Sequence, residues 1–175
     1  MGKKTQQQTP AMSVEEIIQL AVMAGRVAAE HTAKDTYKAT ERRLYAVPAL
    51  RQKVEDDRER LAELRKYGPR GKSKSIVRFQ SGGSRLSPEE IFEVIVRDME
   101  ATIAADTYEL EIMENALAYI QDDDYYVTVT GRYLEELPDE EVAEKIPCDT
   151  STVWRNRKRL VQRISVLLYG AAAVK

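Results

Sequence analysis

The sequence predicts an all-α fold: N-terminal helices, one long central helix, and a C-terminal pair of helices joined by a tight turn. Three observations carry this. Apolar residues recur at steps of three and four over most of the chain, the spacing of one helix face. Helix-start signals stand ahead of two such runs, Ser13 with Glu16 and Ser87-Pro88-Glu89-Glu90. Breaks rich in Gly, Pro and Asp separate the runs, the sharpest being Pro147-Cys148-Asp149-Thr150. Composition agrees. Hydrophobic residues are 43% of the 175 positions, enough for a core, while charged residues at 32% favour helices with a wet face. With two Phe and one Trp the core is mostly aliphatic, edged by nine Tyr.

Four regions follow in order, at 1–66, 67–88, 89–121 and 122–175. The polar stretch 1–11 has too few apolar residues to order itself. A helix is expected from Ser13 to about residue 30, with Ile17, Ile18, Leu20, Ala21, Ala24 and Val27 on its apolar face. A second is expected over 36–46, and a third begins at Pro48 and reaches about residue 66. The third has only a loose repeat in Leu50, Val54, Leu61 and Leu64. Residues 67–88 form a Gly- and Ser-rich linker, with Ser75 to Gln80 as a possible extended piece. A basic cluster running into it, Arg65, Lys66, Arg70, Lys72, Lys74 and Arg78, could grip a phosphate backbone or merely keep a linker soluble. From Pro88 the apolar positions Val96, Met99, Ile103, Leu110, Met113, Leu117 and Ile120 average close to three and a half residues apart, with Asp106 breaking one core position. That spacing suggests a coiled-coil-like seam on a helix near 50 Å long, at about 1.5 Å per residue. So long a seam outruns the short helices expected before it, which favours self-association, as a dimer first. Residues 125–135 alternate like a strand but also fit a helix through Tyr126, Val129, Tyr133 and Leu137, and a scaffold helix is what the following pair requires. Gly131 would allow that helix a close approach.

The chain is organised around residues 137–165. Asp139 to Ile146 form the first helix of the pair, with Val142, Ala143 and Ile146 on one face and three acids at its positive end. Asp149 or Thr150 caps the second helix. Its apolar stripe is Val153, Leu160, Val161, Ile164, Leu167 and Leu168, and Gly170 ends it, leaving 171–175 as a loose tail. Ala143 is small enough for a close crossing, Val153 points back into it, and Cys148 fills the corner. This is a helix-turn-helix pattern, in which the start of the second helix meets base edges in the major groove of double-stranded DNA. Arg155 could read a guanine with two hydrogen bonds, and Thr150 or Ser151 a base or a phosphate. Thr152, Trp154 and Lys158 lie on the same approach, Trp154 against a base or the sugar-phosphate wall. Arg157, Arg159 and Arg163 suit phosphates, which position the protein without specifying sequence. Pro147 replaces the Gly usual in this turn, and Asn156-Arg157 stand where another apolar anchor is common.

Charge supports this. The net charge of −2 hides a strong asymmetry. Residues 98–144 hold fifteen acids and one base, whereas 147–175 hold six bases and one acid. A DNA-binding chain need be basic only on its contact face. Other chemistries lack their residues. One histidine, His31, and one cysteine, Cys148, make neither a metal set nor a nucleophile with its base. Gly82-Gly83 lacks the spacing and the Lys-Ser/Thr of a phosphate loop. Asp122-Asp123-Asp124, with Glu100, Asp106, Glu109 and Glu114, could be imagined as an acidic metal site, but neighbouring carboxylates point apart and no matched set completes them. No enzyme activity and no cofactor are expected. The absence of a long apolar run or a leader-like start predicts no membrane segment and a cytoplasmic location.

Residues 122–170 resemble region 4 of sigma-70-type factors. The matching residues are Tyr133, Glu140-Glu141-Val142-Ala143-Glu144 and Thr152-Val153-Trp154-Arg155. More widely, residues 37–170 are similar to the RinA/ArpU-like regulators of Gram-positive phages and prophages. Here the matches are residues 37–50, Ser75-Ile76-Val77-Arg78 with the glycines after it, Tyr125-Tyr126, Arg132-Tyr133 and residues 151–170. The resemblance implies an activator of phage late genes in a bacterial host, touching host RNA polymerase through acidic surfaces such as Glu135, Glu136 and Glu140. Two rivals carry different predictions: a phage terminase small subunit, which would assemble as a large ring on viral DNA, and an acidic protein-interaction module that binds no DNA.

Overall fold

The computed structural model describes residues 35–68 and 87–174, together with the helical positions Ile17, Leu20, Ala21, Ala24 and Gly25. The expected disorder of 1–11, the cap at Ser13, His31, and the linker with its Arg70, Lys72, Lys74 and Arg78 lie outside the described residues. Five α-helices and no strand occur among those described, so the fold is all-α. They are α1 (Thr36–Tyr67), α2 (Pro88–Ala118), α3 (Val127–Tyr133), α4 (Asp139–Lys145) and α5 (Thr150–Tyr169), with a short 3-10 turn, Gly170–Ala173, at the end.

One continuous α1 replaces the two helices expected at 36–46 and from Pro48. Proline inside a helix forfeits a backbone hydrogen bond and crowds the preceding turn, at a cost of about 3 kcal/mol. Leu44, Val47, Val54 and Leu61, on both sides of Pro48, all bury on one face. At roughly 1.5–3 kcal/mol for each side chain, that burial outweighs the proline. Asp35 caps the start, its side chain accepting from the Lys38 amide at 3.1 Å. Gly68, at φ 69°, ends the helix in a conformation glycine adopts without strain.

At the start of α2, Ser87 and Glu90 form a reciprocal capping box: the Glu90 amide donates to Ser87 Oγ at 3.1 Å and the Ser87 amide to Glu90 Oε2 at 2.7 Å. α2 packs antiparallel on α1, so the long seam finds its cover within the chain. The helix facing the seam is itself 32 residues long, so this seam does not by itself require a second copy to cover it. The buried positions are Ile91, Ile95, Leu110, Met113, Ala116 and Leu117, followed by Ile120; Val96, Met99 and Ile103 stay half-buried. Arg51 meets Glu114, Lys53 meets Asp106 and Arg65 meets Glu100 across the pair. Such exposed pairs add little stability each, yet they favour one orientation and one partner face.

Residues 127–133 are helical, as the tyrosine-bearing pattern predicts. A Cβ on Gly131 would sit 2.9 Å from Val142 Cγ2, so glycine lets α3 and α4 touch. α5 lies across α1, α3 and α4 with Val153, Leu160, Val161, Ile164, Leu168 and Tyr169 buried. Leu167 departs from the expected stripe and is 47% exposed. It stands about 100° around the helix from Leu168, off the row that faces the core. The end of the chain is docked where a loose tail was expected: Ala173 is buried and its carbonyl accepts from Gln162 Nε2 at 2.6 Å. One hydrophobic cluster among the described residues joins Leu44, Val47 and Val54 to Leu110, Met113, Val129, Tyr133, Leu160 and Ile164. The core therefore runs through the boundary drawn at 121/122.

Candidate nucleic-acid interface

α4 ends at Lys145 with Ile146 as its extended C-cap, Pro147 and Cys148 turn the chain, and Asp149 caps α5. The Asp149 carboxylate accepts from the Ser151 hydroxyl, from the Thr152 amide at 2.8 Å and from the Thr152 hydroxyl at 3.0 Å. These bonds to the ionised form hold its carboxyl down to about 2. The hydroxyls of Ser151 and Thr152 are thus spent on the cap as donors, although Ser151 itself is exposed. Thr150 is exposed beside them.

The next turns present Trp154, Arg155 and Lys158 outward. Trp154 is 53% exposed, a large apolar ring left in water. Lys158 Nζ lies 5.2 Å from the centre of that ring, where its charge meets the negative π face. Among the described residues, no carboxylate pairs with Arg155 or Lys158. Positions four apart lie one above another on a helix, so Ser151, Arg155, Arg159 and Arg163 form a single outer ridge.

The three remaining cations behave differently. Arg157 faces inward, with its side chain only 11% exposed, and binds Asp139 with both terminal nitrogens, one at 3.0 Å. Burial works against its charge, but Asp139 more than offsets that and raises its pKa, and Asp139 is lowered in turn by the same pair. The expected phosphate contact by Arg157 is therefore corrected. It fastens the first residue of α4 to the second turn of α5, because the position three residues before Leu160 and four after Val153 belongs to the packed side of the helix. Arg159 donates to both Asp123 oxygens, at 2.9 and 2.8 Å, and to Asn156 Oδ1. Arg163 reaches Asp123 Oδ2 at 3.3 Å and lies over the Tyr119 ring at 5.4 Å.

A polar network ties this unit to the long hairpin. Tyr133 donates to Glu41 Oε1 at 2.7 Å, and Arg132 Nε donates to the Tyr45 hydroxyl at 3.0 Å. Tyr45 and Tyr133 rings meet edge to face at 4.7 Å. Burial, then the Glu41 carboxylate, push the Tyr37 hydroxyl up to about 12. Asp123, Asp139 and Glu41 were not among the residues that sequence reasoning singled out for the site. Their partners are 36, 18 and 92 residues away, and no local pattern announces such pairs.

Asp123, the middle of the aspartate triplet, is an arginine ligand and also accepts from the Tyr125 amide at 3.1 Å. Among the described residues no group of three or more His, Cys, Asp or Glu could hold a metal ion. None of their helices is long and apolar enough to cross a membrane. Compared with known proteins, the chain matches no family model, no curated protein and no solved structure.

Proposed function

We propose that this protein binds double-stranded DNA through the first half of α5 and acts as a transcriptional regulator. The observation that carries this reading is the outward face of Thr150, Ser151, Trp154, Arg155 and Lys158. It holds two cations without carboxylate partners among the described residues and an exposed tryptophan, on a helix whose opposite side is packed. A rigid helix with an unneutralised guanidinium near its start has the chemistry to enter a major groove and donate to a guanine edge. Arg157 is assigned to hold α4 on α5, and Arg159 and Arg163 to lie next along the same ridge, towards the phosphates. In the helix-turn-helix reading, α3 and the Gly131 contact support the pair from behind. The resemblance to sigma-70 region 4 and to RinA/ArpU-like regulators extends the proposal to activation of phage or prophage late genes, with Glu135, Glu136 and Glu140 as the surface offered to RNA polymerase.

The test is binding to fragments of the DNA flanking the protein's own gene, over a salt series, with the mass of the complex measured in the same run. Selective retention of one fragment by a dimer or small oligomer is the expected result. A ring of roughly eight or more subunits would point to DNA packaging instead. No binding at low salt would end the DNA reading and turn attention to a protein partner.

A further inference from the structure

Asp123 stands in the bend between α2 and α3, and its side chain is 15% exposed. Two arginines one turn apart on the outer ridge of α5 converge on it. Arg159 engages it with two parallel N–H···O bonds, and Arg163 adds a third donor to one of the same oxygens. Two arginines around one anion, on the ridge that continues from Arg155, is the arrangement a DNA phosphate would itself demand. Hydrogen bonds from Arg159 hold the Asp123 carboxyl below the usual carboxylate range, so it stays charged through the physiological range. The Tyr125 amide fixes it in place. The arginines remain 45% and 41% exposed, so an outside anion can reach them without unfolding anything.

We propose that Asp123 is an intramolecular competitor for the DNA backbone: its carboxylate occupies Arg159 and Arg163 and withholds them from the phosphates of mixed-sequence DNA. This rests on the DNA-binding reading above and adds to it a residue outside the recognition helix that sets affinity. Non-specific binding is almost wholly electrostatic, so each cation neutralised within the protein is subtracted from it. The contacts of Arg155 and Lys158 are untouched by Asp123, which leaves the forward part of α5 as the main grip.

The experiment titrates an end-labelled duplex of mixed sequence with the full chain over a salt series and reads fluorescence anisotropy. It compares wild type, Asp123→Asn, and Asp123→Asn combined with Arg159→Gln and Arg163→Gln. Asparagine keeps the shape and an acceptor for the Tyr125 amide but removes the charge. Asp123→Asn should bind roughly tenfold tighter at low salt, with the log–log salt slope steeper by up to about 1.8, at about 0.9 per phosphate newly neutralised. The triple variant should lose that gain. Equal affinity and slope for Asp123→Asn and wild type, with unchanged circular dichroism, would overturn the proposal and leave a purely structural clasp. A gain that survives in the triple variant would overturn it too, since charge removal and not arginine release would then be the cause. Should Asp123→Asn fail to fold, Asp123→Ser, which also keeps an acceptor for the Tyr125 amide, carries the test: a gain in affinity that is lost on adding Arg159→Gln and Arg163→Gln supports the competitor role, and affinity equal to wild type overturns it. If neither wild type nor Asp123→Asn binds any duplex at low salt, the DNA reading itself falls, an outcome distinct from equal, measurable binding by both.

Discussion

Arg155 and Arg157 are two positions apart and do opposite work, because a helix turns them to different sides. Arg155 is exposed and pairs with no carboxylate among the described residues, whereas Arg157 is largely covered against Asp139. Arg155→Ala should therefore cost about 1–3 kcal/mol of DNA affinity and relax preference at one base pair, read as binding to a cognate fragment and its single-base variants. Lys158→Ala should weaken all sequences alike. Equal losses for both on every sequence would contradict the division. Arg157→Ala should lower folding stability by about 1–3 kcal/mol, since it leaves the partly buried Asp139 without its charged donor. In a urea-melt double-mutant cycle, Asp139→Asn should add little once Arg157 is gone. At Asp149 the effect is one of pH. Its carboxyl is lowered on folding from 3.8 to about 2, so the folded state gains stability at pH above about 4. That gain should fade as pH falls from about 4 towards 2. Asp149→Asn should flatten this part of the acid-stability curve, and an unchanged curve would show that the cap bonds contribute nothing.

Within the elements, glycine and proline act by geometry. Gly131 stands where α3 meets α4, and an added methyl would press on Val142 at 2.9 Å. Gly131→Ala should destabilise by about 1–3 kcal/mol through overpacking. Val142→Ala in the same chain should return part of that loss, because it removes the atom that is struck. Thermal melts of the two single variants and the double decide it, and simple additivity would mean that the contact is not the cause. Pro48 illustrates the reverse. A residue that normally starts a helix sits inside one, since apolar side chains before and after it share a face with the same partner. Leu167 belongs with it: a leucine beside an apolar stripe remains half in water because the stripe's centre, along Leu160, Ile164 and Leu168, faces the core.

Across the whole molecule, the hairpin and the C-terminal helices share one core. Leu44 and Val47 of α1 cluster with Leu160 and Ile164 of α5, and Tyr133 binds Glu41. Unfolding should accordingly be a single transition, with far-ultraviolet circular dichroism and the near-ultraviolet signal of the buried tyrosines Tyr133 and Tyr169 falling together. A fragment beginning at Asp122 should not form a stable helical unit by itself, as it would leave Leu160 and Ile164 without their partners on α1. A well-folded fragment would show that the shared core is dispensable. The acidic stretch from 98 to 144 also reads differently in three dimensions. Glu100, Asp106, Glu109 and Glu114 pair with cations of α1, which takes them out of any metal site and reduces the field they cast towards DNA.

The features legible in the amino-acid order alone are local ones. The helix class, the helix start at Ser87 to Glu90, a cap at Asp149 or Thr150, the stop at Gly170 and the outward face of Trp154, Arg155 and Lys158 all depend on residues within a few positions of one another. Hydrogen bonds of that range are written in the chain's own order. Packing in three dimensions selects which distant charges meet. Asp123 closes on Arg159 and Arg163, Asp139 on Arg157, and α1 runs unbroken through Pro48 to cover the seam of α2. A charged residue reads the same in sequence whether it faces water or a partner. Its role is settled by what packing brings within about 3 Å of it, the reach of a hydrogen bond.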